Sequence, residues 1–262
     1  MEIRILAVGD VVGTPGIRFL RKTLGKLKRE KKIHFCVVNG ENAAMVGLSP
    51  EQAEEIFDAG ADCITLGNHT WNQRDIAPYL EDHHRILRPA NFAPQNPGAG
   101  LGIYDTDMGK LAVVNLIGRC DLDFHADNPF YKMDALLKKT EGIPTVVDFH
   151  AEATSEKLAM GFYLDGRVSA LWGTHTHVPT ADLRVLPKGT GYITDLGMTG
   201  PRDSALGVDP VQSIALFRGE LTSRFKPAPG PCWLCGAVFT IDCATGRCLS
   251  TEQVLVTEEV GR

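Results

Sequence analysis

Short apolar runs alternate with amphipathic helical stretches along most of this chain, and that alternation constrains the fold more than any other feature. Residues 3–9 form an apolar run, residues 15–31 carry apolar side chains at helical spacing, and residues 33–38 are apolar again. Such β-α-β succession calls for a sheet covered by helices. A helix opens at Ser49-Pro50-Glu51-Gln52, where Ser49 can cap, Pro50 suits the first helical position and Gln52 completes a capping box. Residues 63–66 read as a buried strand, the Pro/Asn/Gly-rich residues 89–100 as loop, and residues 101–118 as a hairpin turning near 105–110. Helix 129–140, strand 145–149, helix 154–164 and strand 168–172 follow. The last third changes to antiparallel hairpins over 182–195 and 236–257. With no internal repeat, low-complexity tract or linker, residues 1–262 read as one α/β domain with its helices outside.

Composition narrows the function classes. The 262 residues are 44% hydrophobic and 23% charged, with a formal net charge of −5, an ordinary globular composition. Mild acidity argues against a protein of duplex DNA, which asks for a basic stripe. No apolar run reaches the roughly 18 residues of a membrane span, and MEIRILAVGD leads straight into a strand pattern. The expectation is a cytoplasmic protein with no membrane partner; homo-oligomerisation stays open. Seven scattered cysteines are no secreted disulfide framework. Cys232, Cys235, Cys243 and Cys248 have half the look of a zinc ribbon, but their apolar, alternating surroundings favour hairpin positions.

The chemistry is concentrated where the apolar runs stop. The first ends at Asp10, the second at Asn39-Gly40-Glu41-Asn42, the third at Asn68-His69, the strand before 150 at His150, and the next at Thr174-His175-Thr176-His177. Strand carboxyl ends share one edge of an open α/β sheet, so these five loops can converge on one crevice. The donors are two carboxylates (Asp10, Glu41), three imidazoles (His150, His175, His177) and two amide oxygens (Asn42, Asn68). This mixed O/N set without thiolate suits iron, manganese, magnesium or zinc. It is too large for one tetrahedral zinc and suits two ions sharing a bridging carboxylate. In a strictly extended segment His175 and His177 would share a face.

Gly9-Asp10, Gly40-Glu41-Asn42, Gly67-Asn68-His69, His150 and Gly173-Thr174-His175-Thr176-His177 resemble, in order and spacing, the motif series of the calcineurin-like metallophosphoesterases. More closely, GDVVGTPGI (9–17), VVNGENAA (37–44), TLGNHTWN (65–72), VDFHAEATSEK (147–157), WGTHTHVPTAD (172–182) and TDLGMTGPRDS (194–204) resemble the bacterial YmdB-type branch. The resemblance implies a four-layer α/β sandwich with mixed sheets inside. It also implies a 2′,3′-cyclic-nucleotide phosphodiesterase that takes a small phosphodiester and leaves the 3′-phosphate. Two ions, iron foremost, would be held by Asp10, Glu41, Asn42 and His177 and by Glu41, Asn68, His150 and His175. A hydroxide activated between them would attack phosphorus in line, and His69 would protonate the leaving oxygen. Most of the superfamily has a histidine two residues after the first aspartate; here that position is Val12, which makes Asn42 the substitute ligand.

Other residues carry weaker expectations. Glu152 and Asp195 can orient ligating imidazoles, and the loop after Asp195 can lie over a phosphate. Trp71, Phe92, Phe124, Phe130 and Tyr131 can stack on a base, though each can equally pack the core. Arg119 and Arg202 can meet phosphate, while His34, His83, His84 and His125 read as solvent or structural residues. Two other functions share these motifs: a phosphomonoesterase such as a nucleotidase, and a metal-containing regulator or RNA-binding adaptor. The position of His69 favours chemistry over binding alone.

Overall fold

The computed structural model describes residues 1–122 and 125–259. In chain order its elements are β1 (Glu2–Val8), β2 (Asp10–Val11), α1 (Gly13–Glu30), β3 (Phe35–Asn39), α2 (Pro50–Asp58), β4 (Cys63–Thr65), α3 (Ile76–Asp82) and β5 (Ile86–Leu87). They continue with β6 (Leu101–Thr106), β7 (Gly109–Ile117), α4 (Pro129–Leu137), β8 (Thr145–His150), α5 (Thr154–Leu164), β9 (Ala170–Thr174), β10 (Arg184–Val185) and β11 (Gly191–Ile193). The last are β12 (Met198–Pro201), α6 (Pro210–Phe217), β13 (Cys232–Asp242) and β14 (Cys248–Thr257).

Two mixed sheets result. The first runs β2-β12-β13-β1-β3-β4-β5 with β14 paired to β13, and the second runs β10-β11-β9-β8-β7-β6. Strands β1, β3, β4 and β5 are parallel neighbours, as are β7, β8, β9 and β11, while β13 is antiparallel to β1. The period-2 pleat then sorts side chains between layers. In β1, Ile3, Ile5 and Ala7 join Val37, Val113, Val146, Trp172 and Phe239 between the sheets. Leu6 and Val8 face the other way, with Leu20 and Leu24 of α1 and Ile56 of α2. Val114, Val147 and Phe149 pack on Met133 of α4 and Met160 of α5. The order helix, sheet, sheet, helix is the four-layer sandwich that the resemblance implies.

Local chemistry agrees with the elements. Ser49 and Gln52 form both halves of the capping box, Asn128 caps α4, and Asp209 caps α6. Cys232 and Cys235 lie in β13 and Cys248 in β14, opposite Ile241, so the cysteines hold hairpin positions. Three elements fall outside the alternation read from the sequence. The seven-residue α3 contains Pro78, α6 buries none of its residues, and β12 pairs with β2 and β13, elements far from it in the chain.

Candidate metal centre

Parallel strands place their carboxyl ends on one edge, and both sheets use that edge. The first sheet contributes Asp10 in β2, Glu41 and Asn42 after β3, and Asn68 and His69 after β4; the second contributes His150 at the end of β8 and His175 and His177 after β9. All eight side chains join one connected cluster. His150 Nε2 lies 2.9 Å from Glu41 Oε1, 2.9 Å from Asn68 Oδ1 and 3.0 Å from His175 Nδ1. His177 Nε2 lies 3.1 Å from Asn42 Nδ2 and 3.7 Å from Asp10 Oδ1. Glu41 stands between the halves, with His69 N donating to its Oε2 at 3.1 Å. Among the described residues, Glu41, His150 and His175 each bring a ligand atom within 4.8 Å of the others'.

The proton positions follow from the neighbours. Thr174 Oγ1 gives its one proton to Asp148 Oδ1 at 2.7 Å, so it accepts from His150 Nδ1–H at 2.9 Å. That leaves the Nε2 lone pair of neutral His150 facing Glu41, Asn68 and His175, three partners that one nitrogen cannot satisfy. His177 Nδ1–H donates to the Leu206 carbonyl at 3.0 Å, which turns its Nε2 inward in the same way. Asp10 Oδ1, fully buried, has no hydrogen-bond partner. At residue 67 a Cβ would come within 2.2 Å of Glu41 Oε2 and 2.3 Å of His150 Nε2, so only glycine lets these two close. Converging lone pairs, an orphaned carboxylate oxygen and a gap without a side chain suit cations.

Electrostatics point the same way. Burial pushes the Asp10 and Glu41 carboxyls up, but His177 and His150 beside Asp10, and His150 and His69 beside Glu41, outweigh it and hold both below their ordinary values. Burial likewise disfavours charge on His150, yet Glu41, Asp10 and Asp148 raise it to about 9. Burial and the neighbouring His150 depress His175 to about 3. Ionised carboxylates in a dry crevice need a positive partner, which is a proton on imidazole unless a cation takes its place.

The loop bearing two histidines departs from the extended segment expected. His175 has φ 98° and His177 φ 64°, backbone that costs a non-glycine residue on the order of 1–3 kcal/mol each. The kink swings His175 Nδ1 to His150 and His177 Nε2 to Asp10. Three bonds hold it: His175 N to Asp10 Oδ2 at 3.2 Å, Thr176 N to Asp195 Oδ2 at 3.2 Å, and the His177 bond to Leu206. Asp195 is in turn bound by Lys157 Nζ at 2.7 Å, and both side chains are almost fully buried. Asp195 thus holds the backbone between the histidines and not an imidazole, whereas Glu152 Oε2 does meet His175 Nε2, at 3.1 Å. Asn39, Thr65, Asp148, Lys157 and Thr174 were not among the expected site residues. Asp148 was open to notice, being a charged residue in the apolar run TVVDFH and on the face of His150.

Asn42 is turned with Oδ1 toward His69 Nδ1, 3.0 Å away, and Nδ2 toward Glu41 and His177. Coordination through its oxygen therefore asks for a half-turn of the amide. Residues 198–201 are buried and pair with β2, Met198 opposite Asp10, and a Cβ on Gly9 would strike the Gly197 carbonyl at 2.0 Å. This segment therefore packs against the strand that carries Asp10. Trp71 packs with the core against Phe92, and Phe130 against Tyr163; Tyr131 is exposed on α4 and Phe124 lies outside the described residues. Arg202 pairs with Asp203.

The YmdB-like protein family model matches residues 6–254. The chain belongs to this family. It is 47% identical to the 2′,3′-cyclic-nucleotide 2′-phosphodiesterase of Bacillus subtilis over 98% of both chains. Among solved structures it matches a hypothetical protein from Thermus thermophilus (TM-score 0.91, 36% identity, 98% of this chain and 100% of that one). It also matches a novel phosphatase from Mycoplasma pneumoniae (TM-score 0.92, 37% identity, 99% and 95%). In this YmdB-like chain Val12 is buried, and a Cβ on Gly207 would come within 2.4 Å of its side chain. No imidazole is offered there; the rings nearest Asp10 Oδ1 are those of His177, at 3.7 Å, and His150, at 4.0 Å.

The buried pair generates a stability prediction. Lys157→Met leaves Asp195 charged and uncompensated, so it is expected to cost about 3–5 kcal/mol in urea unfolding. The double variant Lys157→Met/Asp195→Asn should recover part of that loss; a single variant as stable as the unaltered chain would remove the pair as a support of the loop.

Proposed function

We propose that this chain is a metal-dependent phosphoric diester hydrolase, its substrate a 2′,3′-cyclic nucleotide or similar small phosphodiester. The observation that carries the proposal is the gathering of three imidazoles, two carboxylates and two amides with converging ligand atoms, and a further histidine beside them. The name of the Bacillus subtilis relative supports the substrate class and the ester bond broken. We assign Asp10, Glu41, Asn42 and His177 to one ion and Glu41, Asn68, His150 and His175 to a second, with iron first and manganese, magnesium or zinc as alternatives. Such ions, when bound, supply an activated water and neutralise phosphoryl oxygens.

The protein's own residues do the rest. Thr174 and the Leu206 carbonyl orient two imidazoles, and the locked 174–177 loop fixes a third. His69, whose side chain is one-third exposed, has Nδ1 on Asn42 and Nε2 left to hold a proton for the departing 2′-oxygen. Opening the ring there leaves the 3′-phosphate. No helix of the described residues is long and apolar enough to cross a membrane, and we place the protein in the cytoplasm as one domain over residues 1–262. A phosphomonoesterase would use the same ligands, so the substrate decides between them.

Turnover of metal-analysed protein on 2′,3′-cyclic AMP, 3′,5′-cyclic AMP, bis-p-nitrophenyl phosphate and p-nitrophenyl phosphate tests the reading. Diester cleavage with a 3′-phosphate product is expected, and hydrolysis of the monoester alone rejects it. His69→Ala should retain its metal while turnover falls by roughly 10²–10⁴-fold; loss of metal in that variant would show His69 to be a ligand. Gly67→Ala, by pushing Glu41 from His150, should lose bound metal as measured by elemental analysis, and full occupancy would refute the cradle.

A further inference from the structure

A cleft of about 430 Å³ opens at the end of the sandwich opposite the candidate metal centre. Three segments enclose it: the turn between α4 and β8, residues 166–169 ahead of β9, and the tip of the β13–β14 hairpin at 243–247. It meets β8 at Thr145, whereas His150 ends that strand, so roughly 16 Å of strand separates the two. Ser169, in the lining, is 2% exposed. Its N–H donates to the Thr145 carbonyl and its own carbonyl accepts from Gly191 N, which leaves the hydroxyl as its one unengaged polar group among the described residues. Gly246 stands over that hydroxyl, and even a Cβ there would stay 3.7 Å away. Thr140, a second lining residue, has its Oγ1 buried without a hydrogen-bond partner. Buried hydroxyls are normally paired.

Two guanidinium groups border the same space. Arg247 is exposed and forms no ion pair among the described residues; its stem lies against Gly189, where a Cβ would come within 3.1 Å of the Arg247 Cγ. Arg167 is fixed by Asp134 Oδ1 at 2.6 Å and by the Tyr163 ring, whose centroid lies 4.9 Å from the guanidinium carbon. That spends only part of its five donors. The α4–β8 turn supplies an apolar wall, Ile143 and Pro144, beside the exposed Glu141. From this lining we propose that the cleft is a second ligand site, built for a nucleoside monophosphate. Guanidinium groups pair with phosphate, a carboxylate and hydroxyls meet the ribose hydroxyls, and the apolar wall takes the base. The volume falls within the range of small-ligand sites. An inorganic anion would leave the apolar wall unused, and an apolar ligand would leave the arginines and Ser169 without partners. The site does not touch the metal centre and owes nothing to its assignment.

Hydrogen exchange of the metal-loaded full chain, titrated with 5′-AMP, tests this. The nucleotide should slow exchange in 137–145, 166–169 and 243–247, and adenosine at the same concentrations should not. Arg247→Glu should shift the 5′-AMP dependence of that protection by about tenfold or more, as loss of a hydrogen bond between charged groups does, and Ser169→Ala by about fivefold. Both variants should turn over bis-p-nitrophenyl phosphate as the unaltered chain does. Because binding is read at the cleft itself, a protein without hydrolytic activity would reject the metal-centre reading and leave this test standing. Protection confined to the segments around 10, 41, 68, 150 and 175, equal protection by adenosine, or full affinity in Arg247→Glu would each overturn the inference.

Discussion

Asp148 ties the two sheets together directly beneath the cluster. It sits on the inter-sheet face of β8, fully buried, accepting from Thr65 and Asn39 of the first sheet and from Thr174 of the second. A carboxylate in that position is tolerable only because both oxygens are bonded; burial still raises it to about 6. The same bonds decide what lies above. Since Thr174 spends its proton on Asp148, it can only accept from His150, and the other nitrogen of that ring must face Glu41. Sheet spacing, imidazole tautomer and ligand direction are therefore one constraint.

The frame of the fold is legible because its signals are local. Apolar runs and capping residues mark β1, β3, β8, β9, α1, α2, α4 and α5 within a few residues of where they form, and the polar residues that end those runs arrive together at one edge. What escapes reading is non-local or inverted. Thr65 and Asp148 are 83 residues apart and Lys157 and Asp195 are 38 apart; a lysine one turn into a helix reads as a solvated charge. The kink at His175 and His177 is imposed by Asp10, Asp195 and Leu206, none of them neighbours in sequence. Helix α6 hides for another reason, since its apolar residues face away from the core that normally explains such residues.

Val12 is a packing residue beside the cluster. Its side chain fills space beside Gly200 and Gly207, where an added Cβ would come within 3.1 Å and 2.4 Å of it, so the loop that carries Leu206 is packed against it. Val12 thus supports the turn from which the His177 ring is aimed.

Because the candidate donors divide between the sheets, Asp10, Glu41 and Asn68 on one and the three imidazoles on the other, an ion held by both groups would span the seam of the sandwich. It would act as a rivet. Binding at the crevice and cohesion between the layers would then draw on a single free energy. The Trp172–Phe239 stack, with ring centroids 5.7 Å apart, joins the same two sheets, so the layers that carry the candidate ligands are also coupled through their apolar core.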